Sequence, residues 1–302
     1  MKPPGRGKRG KIKAIVNPHA GLFHLIHTVA EVEDFIRSRI PGVEIVRTDN
    51  ERAARAALRD CLRECAATVI VVGGDGSLHE AIQYAAGTGV ALGIVPFGTA
   101  NNIANSLGVP AYYRHAVELI AGGEARAFDL GKVGRAFFAE AAGIGLHAEI
   151  LALYDRHDAK SIVRGVYSFA RTALSLEPFR VRLELDGEKV DRDVFQVTFS
   201  NLPLYGSGLS LAPDAAVNDG LLDVTIVGAA AKDLLLQYLL SAKMGTLPQL
   251  SGVEVYRVER AVVNTDRPVH IHLDAEVGAG ERFIVRAIRS AVRIIAPQKK
   301  QA

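Results

Sequence analysis

Gly73-Gly74-Asp75-Gly76-Ser77-x-x-Glu80 gathers glycines, two carboxylates and a hydroxyl into one short stretch. Before it stand Val69-Ile70-Val71-Val72, β-branched residues suited to a buried parallel strand, and after it Leu78, Ala81, Ile82 and Ala85 return at helical spacing. The turn therefore falls at the carboxyl end of a strand and the amino end of a helix. Glycine lets backbone approach a ligand closely, and the unpaired N–H groups and dipole of a helix start favour an anion such as phosphate. Asp75 and Glu80 could position Mg2+ or hold the loop itself. The stretch is neither a P-loop, which requires Gly-Lys followed by Ser or Thr, nor Gly-x-Gly-x-x-Gly. A purely structural tight turn is the competing reading.

Other stretches carry chemistry-bearing residue types. Asn17-Pro18-His19-Ala20-Gly21 offers a turn with exposed amides and an Asn side chain. Gly98-Thr99-Ala100-Asn101-Asn102 brings a hydroxyl and two amide side chains to a helix start, where Thr99 could equally cap the helix. Pro213 to Asp223 is an acidic turn between β segments, able to offer carboxylate and carbonyl oxygens to a hard cation or to form an ordinary Asx-type turn. Asp274-Ala275-Glu276 ends the strand Val269 to Leu273, and either acid could deprotonate an attacking hydroxyl. Asp186-Gly187-Glu188 also pairs carboxylates, but its place between two alternating strands makes it a hairpin turn. His19, His24 and His27 lack paired zinc-ligand spacing, and His270 and His272 share one strand face as surface or pocket-wall residues. Leu234, Leu235, Leu236, Tyr238, Leu239 and Leu240 read as an apolar helix for the core or for an acyl chain.

The elements that must position these residues alternate. Strands are expected at Ile12 to Val16, Gly42 to Arg47, Val69 to Val72 and Ala91 to Val95. Helices are expected between and after them: one with Val29, Val32, Phe35, Ile36 and Ile40 on one face, then Arg52 to Ala66, the helix after Gly76, and Tyr112 to Ala121. That order predicts a parallel sheet wrapped by helices, with the turns at Asn17, Thr48, Gly73 and Gly98 together on its carboxyl edge, where such sheets bind ligands. After Gly123 the pattern becomes mainly antiparallel β. Gly143-Ile144-Gly145 is expected to bend the chain, and Ser161 to Leu176 to form a helix carrying Arg164 and Arg171. The expected division is an α/β domain over 11–125, a mainly-β domain over 126–290 and a return strand over 291–297.

Composition bounds the class. The chain has 302 residues, 49% hydrophobic and 23% charged, with a net charge of +3. That is a globular balance with length for one large domain or two ordinary ones. No apolar run is long enough to span a bilayer and no signal-peptide core stands at the start, which points to the cytoplasm. Lys2, Arg6, Lys8, Arg9, Lys11 and Lys13 concentrate positive charge, a solvated tail or an attraction to an anionic membrane surface. Two cysteines fit a reducing compartment.

The five motifs, in order from about residue 11 to 297, resemble the diacylglycerol kinase catalytic family, which includes bacterial lipid kinases and the sphingosine kinases. The resemblance implies an α/β nucleotide domain like that of NAD kinases, followed by a β-sandwich domain, with ATP between them. It implies ATP contacts from Asn17, Pro18, His19, Ala20, Gly21, Thr48, Gly74, Asp75, Gly76, Ser77, Leu78, His79, Glu80 and Thr99. A structural Mg2+ would rest on Asp219 and the carbonyls of Ala216 and Leu221, and Glu276 would accept a proton with Asp274 beside it. The implied acceptor is a lipid hydroxyl, reached by transient membrane-surface contact at the inner face, with no nucleic-acid partner. Oligomeric state stays open, a homodimer included. Ser77 stands where the family has Thr, His79 where Asn is common, Asn102 where Asp is usual, and Ala275 in place of the Gly of Asp-Gly-Glu. Ala275 would be strained if that position needed positive φ. An NAD kinase and a catalytically weak nucleotide-binding sensor are the alternatives.

Overall fold

The computed structural model describes residues 10–21, 28–155, 176–206, 208–229 and 235–298. The basic residues Lys2 to Arg9, His24, His27, Leu234 and the expected helix through residue 175 lie outside them. The chain divides into two compact units, residues 1–128 with 291–302, and residues 129–290.

In the first unit, β1 (Ile12–Val16), α1 (Val29–Arg39), β2 (Glu44–Arg47), α2 (Glu51–Arg63), β3 (Thr68–Gly73), α3 (Asp75–Ala85), β4 (Ala91–Pro96), α4 (Asn102–Ser106) and α5 (Tyr113–Gly122) follow in order. The strands pair in parallel as β2-β1-β3-β4, and Arg293 and Ile294 add a further parallel edge beside β4. Alternate residues divide the sheet between its faces. Ala14, Val16, Ile70, Val72 and Val95 pack with Val32 and Ile36 of α1 and Val117 of α5. Local signals set the helix starts. Thr28 and Glu31 form a capping box ahead of α1, and the Asn50 side chain caps α2.

The second unit contains β5 (Ala125–Val133, entering from the first), β6 (Ala136–Phe138), β7 (Ala141–Gly145), α6 (Leu146–Asp155), β8 (Phe179–Leu185), β9 (Glu188–Ser200), β10 (Leu204–Tyr205), β11 (Leu209–Ser210), β12 (Leu222–Gly228), α7 (Leu235–Met244), β13 (Val253–Val258), β14 (Arg260–Leu273) and β15 (Glu276–Ile295). It is an antiparallel β-sandwich. β9 and β14 are long strands bridged by β8 at one end and by β7 at the other. One sheet face supplies an apolar core from Ala142, Ile144, Val197, Phe199, Val224 and Ile271. The opposite face combines the buried polar residues Gln196, Thr198, Ser200, Thr225 and His272 with a second apolar cluster that includes Ala141 and Val227.

Two expectations for this unit are corrected. Gly143 lies inside β7 rather than at the bend, which comes at Gly145, where the strand ends ahead of the helix at Leu146. Gly143 is required because a Cβ there would come 2.8 Å from His272 Nε2 and from the Val197 carbonyl, and Gly145 has φ +98°. His272 is neither surface nor pocket wall, because it is 0% exposed, whereas His270 is half-buried against Glu149 at 2.9 Å. The helix α6 was not foreseen.

Candidate active site

The four turns of the first unit stand at the carboxyl ends of adjacent parallel strands, and backbone bonds lock each to its neighbour. Asn17 N donates to Val72 O at 3.0 Å, Thr48 N to Val16 O at 2.9 Å and Phe97 N to Gly73 O at 2.8 Å. Between the turns, glycine packs on glycine. A Cβ on Gly74 would meet the Gly98 Cα at 2.8 Å, one on Gly98 would meet the Gly74 Cα at 2.6 Å, and one on Gly21 would meet the Phe97 carbonyl at 2.4 Å. No alanine fits at these positions without backbone movement, so three turns converge with little side-chain bulk between them.

At their centre α3 begins at Gly74 with no side-chain cap. The positive end of the helix dipole lies at this turn, a setting that favours an anion. Asn17 Nδ2 donates to Ser77 Oγ at 3.3 Å, and His19 N donates to Asn17 Oδ1 at 3.0 Å. Asp75 turns toward the next loop. Its two carboxylate oxygens accept from Asn102 N at 3.1 Å and Ile103 N at 3.2 Å, capping α4 in the way expected of Thr99, which stays exposed. Asn101, at φ 50°, closes a local ring with Gly98 through two 2.8 Å bonds.

The expected nucleotide residues fall into two sets. His19, Gly21, Gly76 and Thr99 are exposed, and Asn17, Pro18, Gly74, Asp75 and Ser77 are half-buried around them. Ala20, Thr48, Leu78, His79 and Glu80 are buried. Glu80 receives a bidentate pair from Arg55 at 2.8 and 2.7 Å, tying α2 to α3, and His79 lies 3.2 Å from the Gln83 amide. Arg55 is a contributor the motifs do not reveal, since its partner lies on a neighbouring helix.

In the second unit β14 and β15 join through Asp274 and Ala275, with Leu273 paired to Glu276. The Asp274 carboxylate is buried and accepts three backbone amides, from Ala139 at 2.9 Å, Glu140 at 2.8 Å and Ala141 at 3.1 Å. Asp274 N donates to Ala141 O at 2.8 Å. Asp274 itself takes the left-handed conformation, φ 50°, and Ala275 is not among the residues with positive φ. A glycine is therefore not required at 275. Glu276, two residues on, is exposed.

The acidic turn is organised by a residue the motifs did not mark, Asp129, whose carboxylate accepts from Gly220 N and Ser290 N, both at 2.7 Å. Asp129 N also donates to Val217 O at 2.8 Å. Asp219 accepts from Leu221 N at 2.9 Å and contacts Arg257, which also lies 3.6 Å from Asp223. Burial pushes the Asp223 carboxyl up to about 6, with Arg257 opposing the shift and Asp219 and Asp214 adding to it. Arg257 thus engages Asp219 and Asp223, the Arg289 guanidinium packs at Gly220 in the same turn, and the carboxylate and carbonyl oxygens of the turn are of the hard type a divalent cation takes.

Comparison with known proteins agrees with this geometry. Residues 11–133 match the diacylglycerol kinase catalytic domain, and residues 142–296 match the YegS C-terminal NAD kinase beta sandwich-like domain. A diacylglycerol kinase of Mycobacterium tuberculosis is 28% identical over 97% of both chains. A probable lipid kinase, YegS-like, of Chromohalobacter salexigens is 30% identical over 77% of this chain and 76% of its own. Two solved structures from Bacillus anthracis share the fold. One has a TM-score of 0.83 at 22% identity over 99% of both chains. The other, a diacylglycerol kinase, has a TM-score of 0.76 at 20% identity, covering 97% of this chain and 99% of its own. The family matches and these relatives, rather than the α/β unit and sandwich alone, define the class as a lipid kinase. The chain belongs to the diacylglycerol kinase family, with its YegS-like lipid kinases.

Proposed function

We propose that the protein transfers the γ-phosphoryl group of ATP to the hydroxyl of a lipid such as a diacylglycerol, a sphingoid base or a phosphatidylglycerol. The observation that carries this reading is the uncapped start of α3, approached closely by the Gly98 backbone. The amides of Gly74 to Ser77 hold the phosphates, and Asn17, Ser77 and Thr99 add polar contacts. Pro18, His19, Ala20, Gly21 and Thr48 shape the nucleotide's surroundings, while Leu78, His79 and Glu80 support the turn from within. Asp219, with the carbonyls of Ala216 and Leu221, holds Mg2+, which supplies fixed positive charge to the acidic turn.

Glu276 takes the proton of the acceptor hydroxyl while its oxygen bonds to the γ-phosphorus. The bond from that phosphorus to the β-phosphate oxygen breaks, and ADP leaves. Asp274 holds the turn that presents Glu276. A lipid acceptor brings the enzyme to a bilayer surface, peripherally at the inner membrane face. Among the described residues no helix is long and apolar enough to cross a membrane. Leu240 and Met244, both exposed and one helical turn apart on α7, support a surface contact instead.

Glu276→Gln keeps the shape and removes the base. Its expected result is loss of lipid phosphorylation with ATP affinity retained, measured by label transfer from γ-labelled ATP and by calorimetry. Unchanged turnover rejects the assignment.

A further inference from the structure

Behind the Asp274 turn lies a buried set of polar rings that the proposed chemistry does not use. His272 sits on β14 opposite Gly143, whose missing side chain makes room for the imidazole. Its Nδ1 is 3.2 Å from the Tyr205 hydroxyl, and that hydroxyl is 3.5 Å from the Asp274 carbonyl. Its Nε2 is buried and, among the described residues, has no hydrogen-bond partner. The Tyr205, His272 and His147 rings form a triangle, with Tyr205 at 4.8 Å from His272 and stacked on His147 at 5.4 Å, and the two imidazoles 6.4 Å apart. His147 is held in turn by Gln196 at 2.9 Å and by the Tyr238 hydroxyl at 3.2 Å.

Proton bookkeeping fixes the direction of these bonds. Burial pushes the His272 pKa down to about 3, so the ring is neutral and carries one N–H. A proton on Nε2 would be a buried donor with no acceptor, which is expensive. The Nδ1–H tautomer, assigned by this exclusion, faces both the Tyr205 oxygen and the Asp274 backbone, and the Tyr205 O–H donates to the Asp274 carbonyl. That carbonyl belongs to the left-handed residue whose carboxylate is bound by three amides. Asp274 is thus gripped at both its side chain and its backbone, in a conformation that persists only where surrounding contacts enforce it.

We propose that Tyr205 and His272 are positioning residues that, through the Nδ1–Tyr205–Asp274 carbonyl chain, set the turn presenting Glu276. The proposal rests on the reading of Glu276 given above. Three substitutions test it, with γ-labelled ATP and vesicles carrying diacylglycerol, phosphatidylglycerol or sphingosine. Tyr205→Phe keeps the stacked ring and removes only the hydroxyl. Its kcat is expected to fall by about tenfold to a hundredfold, the scale of a small misplacement of a reacting group, with the KM for ATP within about twofold of the parent.

His272→Asn places an amide nitrogen where Nδ1 stood, and His272→Gln places one where Nε2 stood. Asn is expected to retain more kcat than Gln, although Gln is nearer to His in volume, so a role in packing alone predicts the reverse order. Parent-like kcat in Tyr205→Phe, or Gln equal to or better than Asn, overturns the proposal. If Tyr205→Phe fails to fold, the Asn and Gln order decides. Glu276→Gln runs alongside. If it loses turnover while Tyr205→Phe does not, only the positioning role falls, and if it stays active, the reading of Glu276 falls and this proposal with it.

Discussion

Replacing Asp274 separates holding a turn from moving a proton. Asp274→Ala strips the acceptor from three buried amides, those of Ala139, Glu140 and Ala141. Each unsatisfied buried donor costs roughly 1–3 kcal/mol, and an alanine in the left-handed region adds about 1 kcal/mol, so the local cost is about 4 kcal/mol or more. Asp274→Asn retains one carbonyl oxygen, enough for Glu140 and Ala141, which share Oδ1. It sets an NH2 against the Ala139 amide and costs about 1–3 kcal/mol. A chain of two units has no single unfolding free energy, so the measurement is native-state hydrogen exchange at residues 139–141, read amide by amide. Protection is expected to fall in both variants, and by at least about tenfold more in Ala than in Asn, given about 1.4 kcal/mol per decade. Protection unchanged in both would refute the cradle. Native protection in Asn together with complete loss of turnover would make Asp274 a proton carrier instead.

The buried histidines predict acid lability of the second unit. Burial lowers His147 from 6.5 to about 4, and burial together with His147 lowers His272 to about 3. The unfolded chain therefore binds protons first. The stability these neutral rings allow is complete above about pH 6.5 and is lost as pH falls through 4 and then 3, by about 3 kcal/mol for His147 alone at about 1.4 kcal/mol per unit. A melting temperature that stays flat from pH 7 to 4 contradicts this. Arg257→Gln removes the cation that engages Asp219 and Asp223, so Mg2+ affinity, followed by Mn2+ competition, is expected to rise. Unchanged or weaker binding would show that the turn is not a cation site.

What could be read beforehand was what local pattern determines. The glycine turn after β3, the alternation of strands and helices, and the hairpin at Asp186 and Gly187 all follow from residue spacing. What escaped depends on partners distant in sequence. Asp75 caps a helix starting 27 residues later, Glu80 pairs across 25 residues with Arg55, and Asp274 binds amides more than 130 positions earlier. Gly143 looked like a bend because the imidazole that needs its empty side is on β14. The helix α6 hid because Leu146, Ala148 and Ala152 are buried and the segment is mostly apolar, leaving little polar face to mark its period. Asp129 was invisible for the same reason as Asp274, since its value lies in the Gly220 and Ser290 amides it binds.

The most direct measurement incubates the purified protein with γ-labelled ATP, Mg2+ and vesicles carrying each candidate acceptor lipid, with NAD as a parallel acceptor, and follows the label. Label in a lipid product, dependent on Mg2+ and absent with Glu276→Gln, is the predicted result. ATP bound with no label in any lipid, or label in NAD alone, would contradict it.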